Sequence, residues 1–344
     1  MRRASLAAQR GVAVITALML TALAVTIVAS LFWQQQVQVR SIENQRLHLQ
    51  TKWILRGALD WARLVLREDA KFSSVDTLAE PWSVSLAETR LDQYVENGRA
   101  GSDQSDATLS GQIVDAQARF NLANLAQGGK VDPREVAAFA RLLGSLQLNI
   151  ALAQTVADAI ARAQPAALAA TGGGALAGVA SQPGTQPAAP ASPGSVQAVA
   201  TSQPGAQPLP LLQVEDLLAV PGFTAPMLAT LQDFVIVLPS NTVTPINVNT
   251  ASAQVLAAKI EALSQSDAAA LVAAREKEYF RSSADFIARL PGNAGGDVNP
   301  SDFATTTNFF IVYGTVRLNR ATMEMQSLIE RNGGTTKLIW VRDN

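Results

Sequence analysis

Residues 11–33 read GVAVITALMLTALAVTIVASLFW, and after Gly11 no charged residue appears until Arg40. An apolar run of about 22 residues is long enough to cross a bilayer as a helix. Arg2, Arg3 and Arg10 precede it with no acidic residue among them. By the positive-inside bias this places the N-terminus in the cytoplasm. Trp33 at the far end takes the interfacial position that aromatic rings prefer. The competing reading is a removable secretory signal, whose core is usually about 7–15 apolar residues ending in small ones. Val28-Ala29-Ser30 is a weak cleavage site of that kind, and the length of the run favours an anchor.

The helical pattern does not stop at the membrane. From Gln34 to Asp69 there is no proline, and the only glycine is Gly57. Leu47, Ile54, Ala58, Trp61 and Val65 form one apolar row, and Leu55, Leu59, Ala62 and Leu66 form an adjoining one. That is the period of an amphipathic helix with a wide apolar face. Arg46, Lys52, Arg56, Arg63 and Arg67 mostly take the other positions. The spacing predicts one helix from Val12 to about Ala70, roughly 85–90 Å long at 1.5 Å per residue.

Working outward, composition narrows the chemistry. A chain of 344 residues allows one large or two ordinary domains. A net charge of -1 leaves no electrostatic footprint for nucleic acid. The absence of cysteine excludes disulfides, Cys-based metal sites and thiol catalysis. The one histidine, His48, lies in the helical, membrane-proximal stretch and reads as a solvated or packing residue, so no nucleophile–histidine–acid set exists.

Pro81 and the polar stretch 96–103 read as loop. Val114, Ala116, Ala118 and Phe120 then alternate with Ile113, Asp115, Gln117 and Arg119, predicting a strand. Asp132-Pro133-Arg134-Glu135 is a helix start with Asp132 as N-cap and Glu135 reaching back. It opens a helical region from Val136 to about Ala163, broken at Gly144. Residues 165–210 hold Pro, Gly, Ala, Ser and Gln with no charge and read as a linker. Ser264 to Asp267 and Ser282 to Asp285 are capping boxes. Phe309–Leu318, Met323–Arg331 and Thr336–Arg342 have strand character, with Asn332-Gly333-Gly334 as a hairpin signal. Met323, Met325 and Ile329 share one face.

A basic leader ending in Gly, an apolar helix and an amphipathic continuation resemble a type IV pilin or pseudopilin precursor. In that superfamily a prepilin peptidase cuts after the glycine, here between Gly11 and Val12, and the new N-terminus is methylated. The usual glutamate at the fifth mature position is Thr16 here. Its absence resembles the K family of minor pseudopilins of type II secretion. So do Leu59-Asp60-Trp61-Ala62, the stretch from Val75 to Trp82, Asp115 to Leu122, and Asn247-Val248-Asn249-Thr250-Ala251. A carboxylate in hydrocarbon is costly unless paired, and a tip subunit has no neighbour above it to pair with. Thr16 can return its hydroxyl to a carbonyl of its own helix.

The resemblance implies an α+β, type IV pilin-like fold: a long N-terminal helix packed on a C-terminal antiparallel sheet, with a large sterile-alpha-motif-like helical domain inserted. The expected boundaries are leader 1–11, membrane half 12–33, first part of the pilin-like domain 34–120, insertion 121–290 and β-meander 291–344. It implies a non-enzymatic subunit of the Gram-negative inner membrane, single-pass, with a periplasmic soluble domain, that starts and caps a fibre exporting folded proteins. Its partners would be the minor pseudopilins I, J and H, the major pseudopilin G, the prepilin peptidase and the membrane, with no nucleic acid.

Two further signals stand apart. Val214 to Phe223, Asn247 to Ala251, and Asp285-Phe286 with Pro291-Gly292 resemble helix-hairpin-helix domains, so the alternative is a membrane-tethered DNA-binding protein of competence. Its phosphate-gripping hairpin needs glycine, and Leu263-Ser264-Gln265-Ser266 has none. Asp297, Asn299, Ser301 and Asp302 cluster oxygen donors of the kind calcium takes, starting like an EF-hand loop and then departing from it. Pseudopilins related to K bind calcium, which makes Asp297, Asn299 and Asp302 the candidate ligands, with Asp103 and Asp106 as weaker ones.

Overall fold

The computed structural model describes residues 8–91, 107–164, 210–239 and 242–343. The loop with Asp103 and Asp106, and nearly all of the linker expected over 165–210, lie outside them. The chain divides into two compact units, 1–116 with 307–344, and 117–306.

The first unit is built on one helix, α1 (Ala8–Phe72), of 65 residues, about 97 Å at 1.5 Å per residue. No proline interrupts it, and Gly57 sits where an added Cβ would meet nothing. Of the two apolar rows, Leu55, Leu59, Ala62 and Leu66 are buried against the sheet. The other row stays at the margin: Ile54 and Val65 are half-buried and Trp61 is exposed. Each buried leucine contributes about 1.5–3 kcal/mol, so the row of leucines fixes which side of α1 faces the sheet.

That sheet has five antiparallel strands, β1 (Leu86–Arg90), β2 (Ala107–Asp115), β3 (Phe309–Leu318), β4 (Ala321–Asn332) and β5 (Thr335–Asp343), in that spatial order. Asn319-Arg320 joins β3 to β4, and Gly333-Gly334 joins β4 to β5 with Gly333 at φ +54°. Ile113, Phe310, Val312, Val316, Met323, Met325 and Ile329 form the face under α1. Gly111 and Gly314 lie opposite each other in the ladder. A Cβ on Gly111 would come 2.6 Å from the Tyr313 carbonyl oxygen, and one on Gly314 would come 3.3 Å from the Leu55 side chain. Strand β2 starts earlier than expected and stops at Asp115, because Ala116–Ala118 turns as a 3-10 helix into the second unit.

The second unit carries helices α2 (Pro133–Ser145), α3 (Leu152–Ala163), α4 (Ala225–Leu231), α5 (Ala253–Lys259), α6 (Gln265–Lys277) and α7 (Ser283–Ala288). The helical region expected over 136–163 is interrupted after Ser145, where Gln147 adopts φ +60°. Phe120, Phe139, Leu142, Val156 and Leu231 belong to one core, and Val248, Leu256, Phe280, Phe286 and Phe303 to another. Phe120–Asn121 pairs with Val235–Ile236, and Ile246–Asn247 with Phe303–Ala304, both in parallel. This second pairing, with Leu290, Ala294 and Phe303 in the core, draws residues 291–306 into the helical unit. The insertion therefore runs over 117–306 rather than 121–290, and the meander begins at 307 rather than 291.

Candidate functional site

The N-terminal third of α1 is apolar on all sides. Every described side chain from Val12 to Trp33 is exposed, and α1 is the one helix among the described residues long and apolar enough to cross a membrane. Its threonine hydroxyls are satisfied within the helix. Thr16 donates to the carbonyls of Val12 at 3.1 Å and Ala13 at 3.0 Å. Thr21 donates to the carbonyls of Ala17 and Leu18, and Thr26 to that of Leu23. From Val12 to Trp33 there is no ionisable side chain, so this stretch can lie in hydrocarbon or against a similar helix with its threonine hydroxyls paired. Gly11 and Val12 both lie within α1. His48 is exposed on the same helix.

Where α1 ends, a buried charge cluster ties it to the sheet. The carboxylate oxygens of Asp69, Asp76 and Glu80 lie within 4.8 Å of one another. The cation among them belongs to the chain: Arg331 on β4 pairs with Asp69 at 2.8 Å and with Asp76, and donates to the Thr307 carbonyl at 3.1 Å. Its guanidinium lies 4.6 Å from the Phe310 ring centre. The Thr307 backbone N–H donates to Asp76 at 2.7 Å, and Glu80 accepts from the Thr77 N–H and from Trp82 Nε1. Burial holds the Asp69 and Asp76 carboxyls above their usual range, while the Arg331 guanidinium pulls both down. The cluster thus fastens the end of α1, the loop after it and the start of β3. Sequence reasoning assigned these residues no role. The available signal was Arg331 two residues after Ile329, on the strand face that the apolar residues take.

The three candidate calcium ligands all line a cavity of about 500 Å³ in the second unit, which Lys259 and Arg141 also line. Their oxygens are partly engaged already. Asn299 Oδ1 accepts from the Ser301 N–H and hydroxyl, capping a short 3-10 turn. Asp302 lies 3.7 Å from the Lys259 ammonium, and Asp297 is exposed. Lys259 is itself buried in an ion pair with Glu135 of α2. Glu135 therefore does not reach back to cap its own helix as expected. Asp132 alone does so, accepting from the Arg134 N–H at 2.9 Å. Burial raises the Glu135 carboxyl against the pull of Lys259, and its Oε2 has no hydrogen-bond partner. The donor set as it stands holds a lysine, so a divalent ion there would have to displace an ammonium.

The hairpin between α5 and α6 lacks the features of a phosphate grip. Ser264 Oγ accepts from the Asp267 N–H and donates to the Asp267 carboxylate, closing the cap on itself. Glu261 and Asp267 flank the turn. Arg141 crosses from α2 and donates to the Ala258 carbonyl at 2.8 Å, using its charge on the end of α5. Arg275 is buried and donates to the carbonyls of Val248 and Ala251, and burial lowers its pKa to about 10. The basic residues nearest the hairpin thus serve the fold, which removes the ground for the DNA-binding alternative.

Comparison with known proteins agrees with this geometry. Two family models, both described as type II secretion system (T2SS), protein K, match residues 118–240 and 246–306. A type II secretion system protein K of Pseudomonas aeruginosa is 30% identical over 352 residues, covering 97% of this chain and 92% of that protein. The crystal structure of a GspK–GspI–GspJ complex from the type 2 secretion system of enterotoxigenic Escherichia coli contains a chain of similar fold. It aligns with a TM-score of 0.59 and 17% identity, covering 88% of this chain and 98% of that one.

Proposed function

Because the chain belongs to the type II secretion system protein K family, we propose that it is the tip subunit of a short periplasmic fibre that exports folded proteins. In this reading a prepilin peptidase cuts between Gly11 and Val12, the new N-terminus is methylated, and α1 stays in the inner membrane until assembly. The single observation that carries the reading is the construction of the first unit. One uninterrupted helix supplies a charge-free arm at one end and a buried leucine row at the other, and between β2 and β3 the chain carries a helical unit of 190 residues, 117–306. In this reading the bulk of that inserted unit would keep further subunits from joining.

Thr16 supports the tip position. A subunit with no neighbour above it has no terminal amine to neutralise a glutamate, and a hydroxyl satisfied by its own helix costs little in lipid. The partners would be the other minor pseudopilins I, J and H, and below them the major pseudopilin G. The role is structural rather than enzymatic. Calcium at Asp297, Asn299 and Asp302 enters the proposal as a competitor of the Lys259 ammonium. Titration of the full chain with calcium chloride in detergent, repeated on Asp302→Asn, tests it. Saturable binding lost in the variant supports the site, and no binding at millimolar calcium removes it.

The test of the tip role is co-expression of the full chain with minor pseudopilins I and J of its own system, followed by detergent extraction and sizing. A stable complex with one copy of each supports the reading. A chain that associates with neither contradicts it.

A further inference from the structure

The cavity of the second unit already contains a cation that the chain supplies. Lys259, the last residue of α5, lines it together with Asp297, Asn299 and Asp302. The Lys259 side chain is nonetheless only 5% exposed. Its ammonium donates to Glu135 Oε1 on α2 and lies 3.7 Å from Asp302 Oδ2, on the short turn before Phe303. Two carboxylates from separate elements thus converge on one nitrogen. The other cations of the cavity do not share this place. Arg141 is spent on the Ala258 carbonyl and, at 3.8 Å, on Glu261, and Arg134 is exposed.

Charge does not balance at that nitrogen. The Glu135 side chain is 4% exposed, and its Oε2 is buried without a hydrogen-bond partner. One ammonium faces the carboxylates of Glu135 and Asp302, so the group carries a surplus negative charge. Burial raises the Glu135 carboxyl, Lys259 pulls it down, and the charges of Asp302 and Asp132 push it up again. A divalent ion at the same point would balance both carboxylates. Calcium takes about 6–8 oxygens, so it would also engage the orphaned one. An ion that enters must first expel the ammonium, and breaking a buried pair is costly. The lysine therefore works against the ion that the carboxylates would otherwise favour.

We propose that Lys259 is the built-in cation of this site: its ammonium ties α2, the end of α5 and the turn at Asp302 together in place of a divalent ion, and it holds the affinity for calcium down. Removing the charge at 259 leaves two converging carboxylates with nothing between them, and turns the place into a divalent-ion site with Glu135 and Asp302 as ligands. The inference rests on the calcium reading above and deepens it, since it names the residue that sets the affinity and adds Glu135 to the donors.

The test uses the full chain in detergent with calcium chloride as the only added ion. Binding is measured by calorimetry, and melting by circular dichroism in EGTA and in millimolar calcium. Lys259→Met should melt lower than the parent in EGTA and regain most of that loss in calcium. It should bind the ion at least about tenfold more tightly than the parent, because a like charge has left the site. Lys259→Arg keeps a cation there and should respond as the parent does. Lys259→Met/Asp302→Asn should lose the gain. If Lys259→Met is unfolded in EGTA, folding driven by calcium is the same supporting result. A parent that binds calcium as tightly as Lys259→Met overturns this inference alone. If calcium neither binds nor stabilises either chain, the calcium site falls with it, and the tip role still stands or falls by the association test above.

Discussion

Arg331→Met probes what holds the long helix to its head. The variant keeps most of the side-chain volume and removes the charge. In the parent the Arg331, Asp69 and Asp76 side chains are 8%, 8% and 3% exposed. Losing the guanidinium leaves two buried carboxylates and Glu80 without their cation, and the Thr307 carbonyl without its donor. Breaking a buried pair by removing one member costs about 3–5 kcal/mol. The loss should also depend on pH. Burial already raises the folded pKa of Asp69 and Asp76, and Arg331 opposes that rise. A carboxyl whose folded pKa exceeds its unfolded value favours the folded chain when protonated, so stability falls as pH climbs from the unfolded value through the folded one. Without Arg331 both carboxyls rise further and this window widens upward. The deficit relative to the parent should be greater at pH 7 and shrink as pH falls toward the ordinary aspartate value of 3.8. All five tryptophans, Trp33, Trp53, Trp61, Trp82 and Trp340, lie in the first unit. Trp82 is buried at 5.3 Å from Phe310, so urea unfolding followed by tryptophan emission reads this unit alone. A variant within about 1 kcal/mol of the parent at pH 7, or one whose deficit does not change with pH, would refute the reasoning.

Other perturbations separate the remaining contacts. Gly111→Ala sets a methyl 2.6 Å from the Tyr313 carbonyl oxygen and should cost about 1–3 kcal/mol, read by the same emission. Glu135→Leu or Lys259→Met alone should lower the stability of the helical unit by about 3–5 kcal/mol, and the double variant should recover most of that loss, read by thermal circular dichroism. A double-variant loss equal to the sum of the two single losses would deny that the two form one pair. Gly222→Ala adds a Cβ 2.8 Å from the Leu152 side chain at a backbone φ of +98° and should cost about 1–3 kcal/mol, also read by the melting of the helical unit.

The helix and the meander were legible because period carries them. The leucine row from Leu55 to Leu66 and the alternation through β3 and β4 state burial directly in residue spacing. The end of the insertion was not. Residues 291–306 look like a loop, since only their pairing with Ile246–Asn247 and the seat of Phe303 assign them to the helical unit, and both are non-local. Glu135 shows the same limit. At the third position of α2 it satisfies the rule for a capping box, but an ammonium more than a hundred residues away outweighs one weak local hydrogen bond. Arg331 was visible on the apolar face of its strand, but its meeting with Asp76 was not, because 255 residues separate the two.

The N-terminus of the matured chain tests the central claim most directly. The full protein is expressed with and without its prepilin peptidase, extracted from membranes, and its N-terminal peptide is measured by mass spectrometry. The account predicts a chain beginning at N-methylated Val12 when the peptidase is present and an uncut leader ending in Gly11 when it is absent. Retention of Met1 in both cases, or a cut near Ser30, would contradict it.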